Sequence, residues 1–127
     1  SAMPVRGIRG ATTVTLNTEE EILRATRALL EEMVTANSAE PDDLAAATFT
    51  VTADLNAAFP ARAARELGWV HLPMLDATEI PVPGSLKRCI RVLLLWNTDR
   101  PAAEVQHVYQ GNARSLRPDL VTEPQNQ

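Results

Sequence analysis

Cysteine, histidine, lysine and aromatic residues are all scarce in this chain. The single cysteine, Cys89, excludes an intrachain disulfide, and adding His71 and His107 gives no His/Cys cluster with zinc-ligand spacing. An aromatic content of 4% and a net charge of −4 argue against a nucleic-acid partner, which calls for a basic face and stacking platforms. No apolar run is long enough to span a bilayer, and no basic stretch leads into an apolar one, so a soluble cytoplasmic chain without membrane contact is expected. The sequence also lacks G-x-S-x-G, a Walker loop, G-x-G-x-x-G and H-E-x-x-H, and Cys89 carries no nucleophile signature. Lys87, next to Arg88 at a strand entrance, reads as a solvated charge rather than a Schiff-base lysine.

At 127 residues the chain is long enough for one domain with an ordinary core, expected over residues 3–120, followed by a tail at 121–127. Ser1 and Ala2 before Met3 read as residues left by cloning. Val5–Val14 mixes β-branched residues with Gly7 and Gly10 and predicts a first strand. Thr18 to Glu21 forms a capping box that opens a helix with an apolar stripe at Ile22, Ala25, Leu29 and Met33, ended by Asn37-Ser38 and Pro41. Ala46–Thr52 predicts a central strand, and Ala61–Leu67, between Pro60 and Gly68, a second helix. A third strand is expected in "WVHLPML" from Trp69, then a loop through "DATEIPVPGS", then a strand from about Cys89 to Trp96. Pro101–Tyr109 predicts a short third helix or helical turn. The order β-α-β-α-β-β-α places the chain in the α/β or α+β class, with a mixed sheet.

Period-two alternation puts Ile90, Val92, Leu94 and Trp96 on one face of the Cys89 strand and Cys89, Leu93 and Leu95 on the other, so both faces call for burial. Two helices shield one face; covering the second calls for another copy of the chain, and a homo-oligomer is expected.

Arg91 lies on that second face, where an unpaired charge would cost several kcal/mol, on the order of ion burial in proteins. It therefore needs an anion, either an internal carboxylate such as Glu79 or Asp76 or a bound ligand. Arg9 sits mid-strand on the face of Val5, Gly7, Ala11 and Thr13, with small residues around it. Two guanidinium groups on small-residue strands of one sheet favour an anion pocket over two separate buried pairs. Eleven of the twelve basic residues are Arg, the side chain that grips carboxylates bidentately. Arg62 and Arg65 share a helix face and offer either a further clamp or a solvated surface. Arg117 is either part of a segment over the site or an exposed charge. The residues alone thus describe an oligomeric protein with an Arg-lined pocket and no nucleophile, metal or general-base pair.

The segments "RGIRGATTV", "TEEEIL", "DLNAAFPARAARELGW", "EIPVPGSLKRCIRVLLLWNT" and "HVYQGNARSLRPDL", in that order over Val5–Leu120, together resemble the AroH-class chorismate mutases. The resemblance implies a homotrimer forming a pseudo-α/β barrel, with active sites between subunits and no cofactor. The implied reaction is the Claisen rearrangement of chorismate to prephenate in phenylalanine and tyrosine biosynthesis. Carried over residue by residue, it implies catalytic roles for Arg91, Glu79 and Arg9. Substrate contacts are implied for Tyr109, Arg65, Arg62, Phe59, Ala61, Met74, Leu75, Asp76, Leu116 and Arg117. Two positions depart from the family pattern: Arg62 stands where some relatives carry Lys, and Asp76 where a small thiol or hydroxyl residue is expected. A carboxylate beside Glu79 would oppose a dianion unless it is turned away or paired. The rival readings are a RidA-like imine or enamine deaminase and a non-catalytic dicarboxylate-binding trimer.

Overall fold

In the computed structural model the described residues are 3–116. Arg117 and the expected tail lie outside them. The chain forms β1 (Val5–Thr13), α1 (Glu19–Asn37), β2 (Leu44–Val51), α2 (Ala61–Glu66), β3 (Met74–Thr78), β4 (Cys89–Asn97) and β5 (Val108–Tyr109). Short 3-10 turns occupy Pro41–Asp43, Ala102–Glu104 and Gly111–Ser115. The sheet runs β3-β2-β4-β1-β5, with β4 antiparallel to β2 and β1, and the outer strands β3 and β5 parallel to their neighbours. This is the expected α+β fold with a mixed sheet. Among the described residues no helix is long and apolar enough to cross a membrane.

Helix α1 begins where Thr18 Oγ1 accepts the Glu21 N–H at 3.2 Å. The box is one-sided, because the Glu21 carboxylate takes the Arg24 guanidinium instead of reaching back. Helix α2 ends in a Schellman turn: Trp69 N–H donates to Ala64 O, Gly68 N–H to Arg65 O, and Gly68 adopts φ +90°. The turn delivers Trp69 into the core.

Both helices pack on one sheet face. Leu29, Leu30 and Met33 of α1 and Ala61 and Ala64 of α2 bury Ile8, Phe49, Val92, Leu94 and Trp96. Each large apolar side chain removed from water contributes at most about 1.5–3 kcal/mol. Gly10 points toward α1, where a Cβ would run into Met33 Sδ, so this glycine serves close helix packing rather than room around Arg9.

Two expected elements are corrected. The third strand starts at Met74, not Trp69, and extends through Asp76–Thr78 into the expected loop. Pro73 has no N–H to pair, so its carbonyl takes the Ala47 N–H and the ladder begins one residue later. The expected third helix is only the turn Ala102–Glu104, after which Val108–Tyr109 pairs with the free edge of β1.

Among the described residues, no helix covers the second face of the sheet. Strand register lines up Arg9–Leu93–Thr48–Leu75 in one row across it and Tyr109–Ala11–Arg91–Thr50–Ala77 in the next. Leu75, Val5, Leu93 and Leu95 are exposed there, Leu75 by 70% of its surface.

Candidate active site

The polar end of the open face is built on β4. Arg91 leaves the strand between Ile90 and Val92, both in the core, so alternation drives it outward. Its Nε lies 3.6 Å from Glu79 Oε2, and its side chain keeps 45% of its exposure, so the partner demanded by the sequence is present while the guanidinium stays accessible.

Glu79 extends the β3 ladder by one bond, its N–H donating to Val51 O at 2.8 Å. Alternation therefore puts its side chain on the open face with Leu75 and Ala77. The Thr50 hydroxyl donates to Glu79 Oε2 in a short hydrogen bond. Among the described residues, nothing donates to Oε1, which leaves one lone-pair set for a ligand hydroxyl.

Arg9 lies one strand away and two residues along. Among the described residues its guanidinium has no carboxylate within 4.0 Å, in contrast to Arg91 and Arg62. Arg9, Arg91, Glu79, Thr48, Thr50 and Tyr109 line one open cavity of about 360 Å³. Leu116 lines an adjoining cavity with Glu79, Arg91 and Cys89. Cys89 is buried, and burial pushes its thiol up to about 11, with Arg91 opposing and Glu79 and Asp54 adding to the rise. It is no nucleophile at neutral pH.

The other expected site residues gather elsewhere on the chain. Phe59, Arg62 and Asp76 line a separate cavity of about 500 Å³ with Glu19, Pro60 and Thr78. Phe59 is 69% exposed. Arg62 bonds Glu19 at 2.9 Å and lies 3.4 Å from Glu66, tying α2 to the start of α1. Arg65 is on the exposed side of α2, Ala61 is buried, Met74 packs partly into the core, and Leu75 stands on the open face.

Asp76 is turned away from Glu79. Alternation along β3 sends it toward α2, where it accepts the Ala61 N–H at 3.0 Å at the helix start. Burial raises its carboxyl above the ordinary range; the Ala61 N–H and the nearby Arg65 charge oppose the rise. Within one chain, then, Arg9, Arg91, Glu79 and Tyr109 converge, while Phe59, Arg62, Arg65 and Asp76 form a second group. Arg117 falls outside the described residues.

Thr50, Thr48 and His107 were not among the expected residues. Their places depend on strand register, which no local pattern reveals. Among the described residues, no three His, Cys, Asp or Glu side chains gather as a metal site would require. The cavity offers two cations, one carboxylate and a phenol. That set can hold an anionic ligand with a hydroxyl and stabilise negative charge beside Arg91.

A sequence profile of the family "Chorismate mutase type I" matches residues 5–120. The chain is 58% identical over 117 residues to "Chorismate mutase AroH" of Thermus thermophilus, covering 91% of this chain and 96% of that protein. It is 48% identical over 119 residues to "Chorismate mutase AroH" of Bacillus subtilis (strain 168), covering 93% and 94%. A solved chorismate mutase from Clostridium thermocellum superposes with a TM-score of 0.85 at 50% identity, over 86% of this chain and 97% of that one. These likenesses lend nothing to the deaminase or binding-module alternatives.

Proposed function

The chain belongs to the chorismate mutase type I family and is a chorismate mutase, and we propose that it performs the rearrangement of chorismate to prephenate with the residues around Arg91. The observation that carries the assignment of residues is the half-buried Arg9, without a protein carboxylate among the described residues, in one cavity with Arg91 and Glu79.

The rearrangement is intramolecular: the ether C–O bond breaks as a C–C bond forms, and no proton, nucleophile or redox partner is consumed. The protein has to hold a reactive conformer and meet charge as it develops. Arg91 donates to the ether oxygen as negative charge builds there, worth about 3 kcal/mol by comparison with a single oxyanion donor. Glu79 keeps Arg91 aimed and accepts the ring hydroxyl through Oε1. Arg9 holds a substrate carboxylate, with Tyr109 beside it.

We assign the second group, Phe59, Arg62, Arg65 and Asp76, together with Ala61, Met74 and Leu75 of the same segments, to the site of a neighbouring copy in a homotrimer, with Leu116 closing the site from its own chain. Two features support this: an uncovered apolar patch adjoins the polar cavity, and the second group does not reach Arg91 within one chain. The same proposal sets the reaction in the cytoplasm, as part of phenylalanine and tyrosine biosynthesis.

The test follows the loss of chorismate ultraviolet absorbance with the parent protein and Arg91→Ala. Expected is a fall in kcat of about a hundredfold or more in the variant, with a smaller change in KM. A variant that turned over at the parent rate, or lost only KM, would remove Arg91 from the transition state.

A further inference from the structure

We propose that His107 is a positioning residue for the carboxylate-holding side of the site: its Nδ1 fixes the backbone of Arg9 and docks the short strand that carries Tyr109. This rests on the reading of Arg9 as a substrate-carboxylate ligand.

The Arg9 N–H donates to His107 Nδ1 at 2.9 Å. In a strand the N–H and C=O of one residue point to the same side, so an Arg9 N–H directed at the β5 side takes no bond from β4. The pairing of β1 with β5 begins only at Gly10 with Val108 and ends at Ala11 with Tyr109. At Arg9, therefore, the rung that a backbone carbonyl would supply comes from an imidazole. The N–H is the donor, so Nδ1 carries the lone pair and the ring proton of the neutral form sits on Nε2.

A strand of two residues has few bonds of its own, and this one is docked by side chains on both flanks. Next to His107, Gln106 is gripped by buried Asn37 at the end of α1. Asn37 Oδ1 accepts the Gln106 N–H at 2.7 Å, and its Nδ2 donates to Gln106 O at 2.9 Å. Asn37 thus sets the height of the segment over α1, and His107 sets its seat on β1. Arg9 and Tyr109 both line the cavity: Arg9 is itself the residue that His107 holds, and Tyr109 lies two residues beyond His107. A shift at His107 displaces both without touching Arg91 or Glu79.

The test compares His107→Asn with His107→Gln. Asn places Oδ1 where histidine has Nδ1; Gln places its oxygen one bond farther out, and both keep a polar side chain. Kinetics on chorismate are measured alongside amide hydrogen exchange at Arg9 and the kinetics of Arg9→Ala. Expected is a KM about tenfold higher in the Gln variant with kcat within about threefold of the parent, and near-parent values for Asn. The Arg9 amide exchanges faster in the Gln variant and at the parent rate in the Asn variant. If Arg9→Ala raises KM while the Asn and Gln variants do not differ, the role of His107 is overturned and that of Arg9 stands. If Arg9→Ala leaves KM unchanged, the carboxylate role of Arg9 falls, and this inference with it.

Discussion

Thr50 donates its hydroxyl to Glu79 Oε2, the same carboxylate oxygen that faces Arg91 Nε. One oxygen is thereby committed to the protein, and the other takes no hydrogen bond from the described residues. The order of strands produces this, since Thr50 is the cross-strand partner of both Arg91 and Ala77.

Removing that hydroxyl frees the carboxylate to rotate. Thr50→Val is expected to lower kcat about tenfold, the loss of roughly one hydrogen bond to a charged group, and Thr50→Ser to restore it. Steady-state rates on chorismate check this, and equal rates in Val and Ser variants would show that Glu79 is aimed by something else.

Asp76 predicts a pH-dependent stability with a definite sign. Its carboxyl is raised in the fold, chiefly by burial. Its contribution therefore favours the fold most fully below the unfolded value and is lost as pH rises through the folded one. Asp76→Asn keeps an oxygen for the Ala61 N–H and removes the charge. Thermal melts at pH 7 should place the variant at or above the parent, by about 1–3 °C, with the difference vanishing below about pH 4. A variant melting well below the parent at neutral pH would mean that the charge itself stabilises α2.

Leu95 lies on the face that no described helix covers, in line with Gly7 and Ala46 and away from the polar cavity. If a second copy covers that face, Leu95→Asp should elute from a sizing column as a smaller species than the parent. It should also retain its far-ultraviolet circular dichroism and lose at least about tenfold in turnover. Unchanged elution and activity would free the apolar patch from any part in assembly.

The thiol of Cys89 lies beside the cavity yet is shielded and raised to about 11. Iodoacetamide at pH 8 should leave the folded protein unlabelled, because the thiolate is only about one part in a thousand, and should label it promptly in urea. Rapid labelling of the folded protein would show that the packing that buries Cys89 opens readily.

Local signals were legible in the sequence. Thr18, the stripe on α1, Pro60 and Gly68 each act within a turn or two of themselves, and both helices lie where these residues point. Arg91 and Arg9 announced themselves as charges among apolar or small neighbours, with Glu79 already a candidate partner. Tyr109 came only through the family resemblance, since its two-residue strand follows an Ala-Ala-Glu stretch of helical composition. Edge strands escape pattern reading because an edge position need not be apolar: β3 runs through Asp76 and Thr78 on the support of a single neighbour. Thr50 and His107 were illegible for a different reason. Each acts across strands, on a residue far away in sequence, through a register set by the whole sheet.

The alternation of β4 makes length there a harder constraint than identity. Ile90 and Val92 face the helices while Arg91 faces the cavity, and both neighbouring strands read the same alternation. Deleting or inserting one residue in this strand would invert every side chain beyond it, sending a guanidinium into the core and isoleucine or valine into the pocket. Chain length can therefore vary between Ile80 and Lys87, outside the regular strands, whereas β4 can change only by substitution: its chemistry is written in a two-residue reading frame that admits no frameshift.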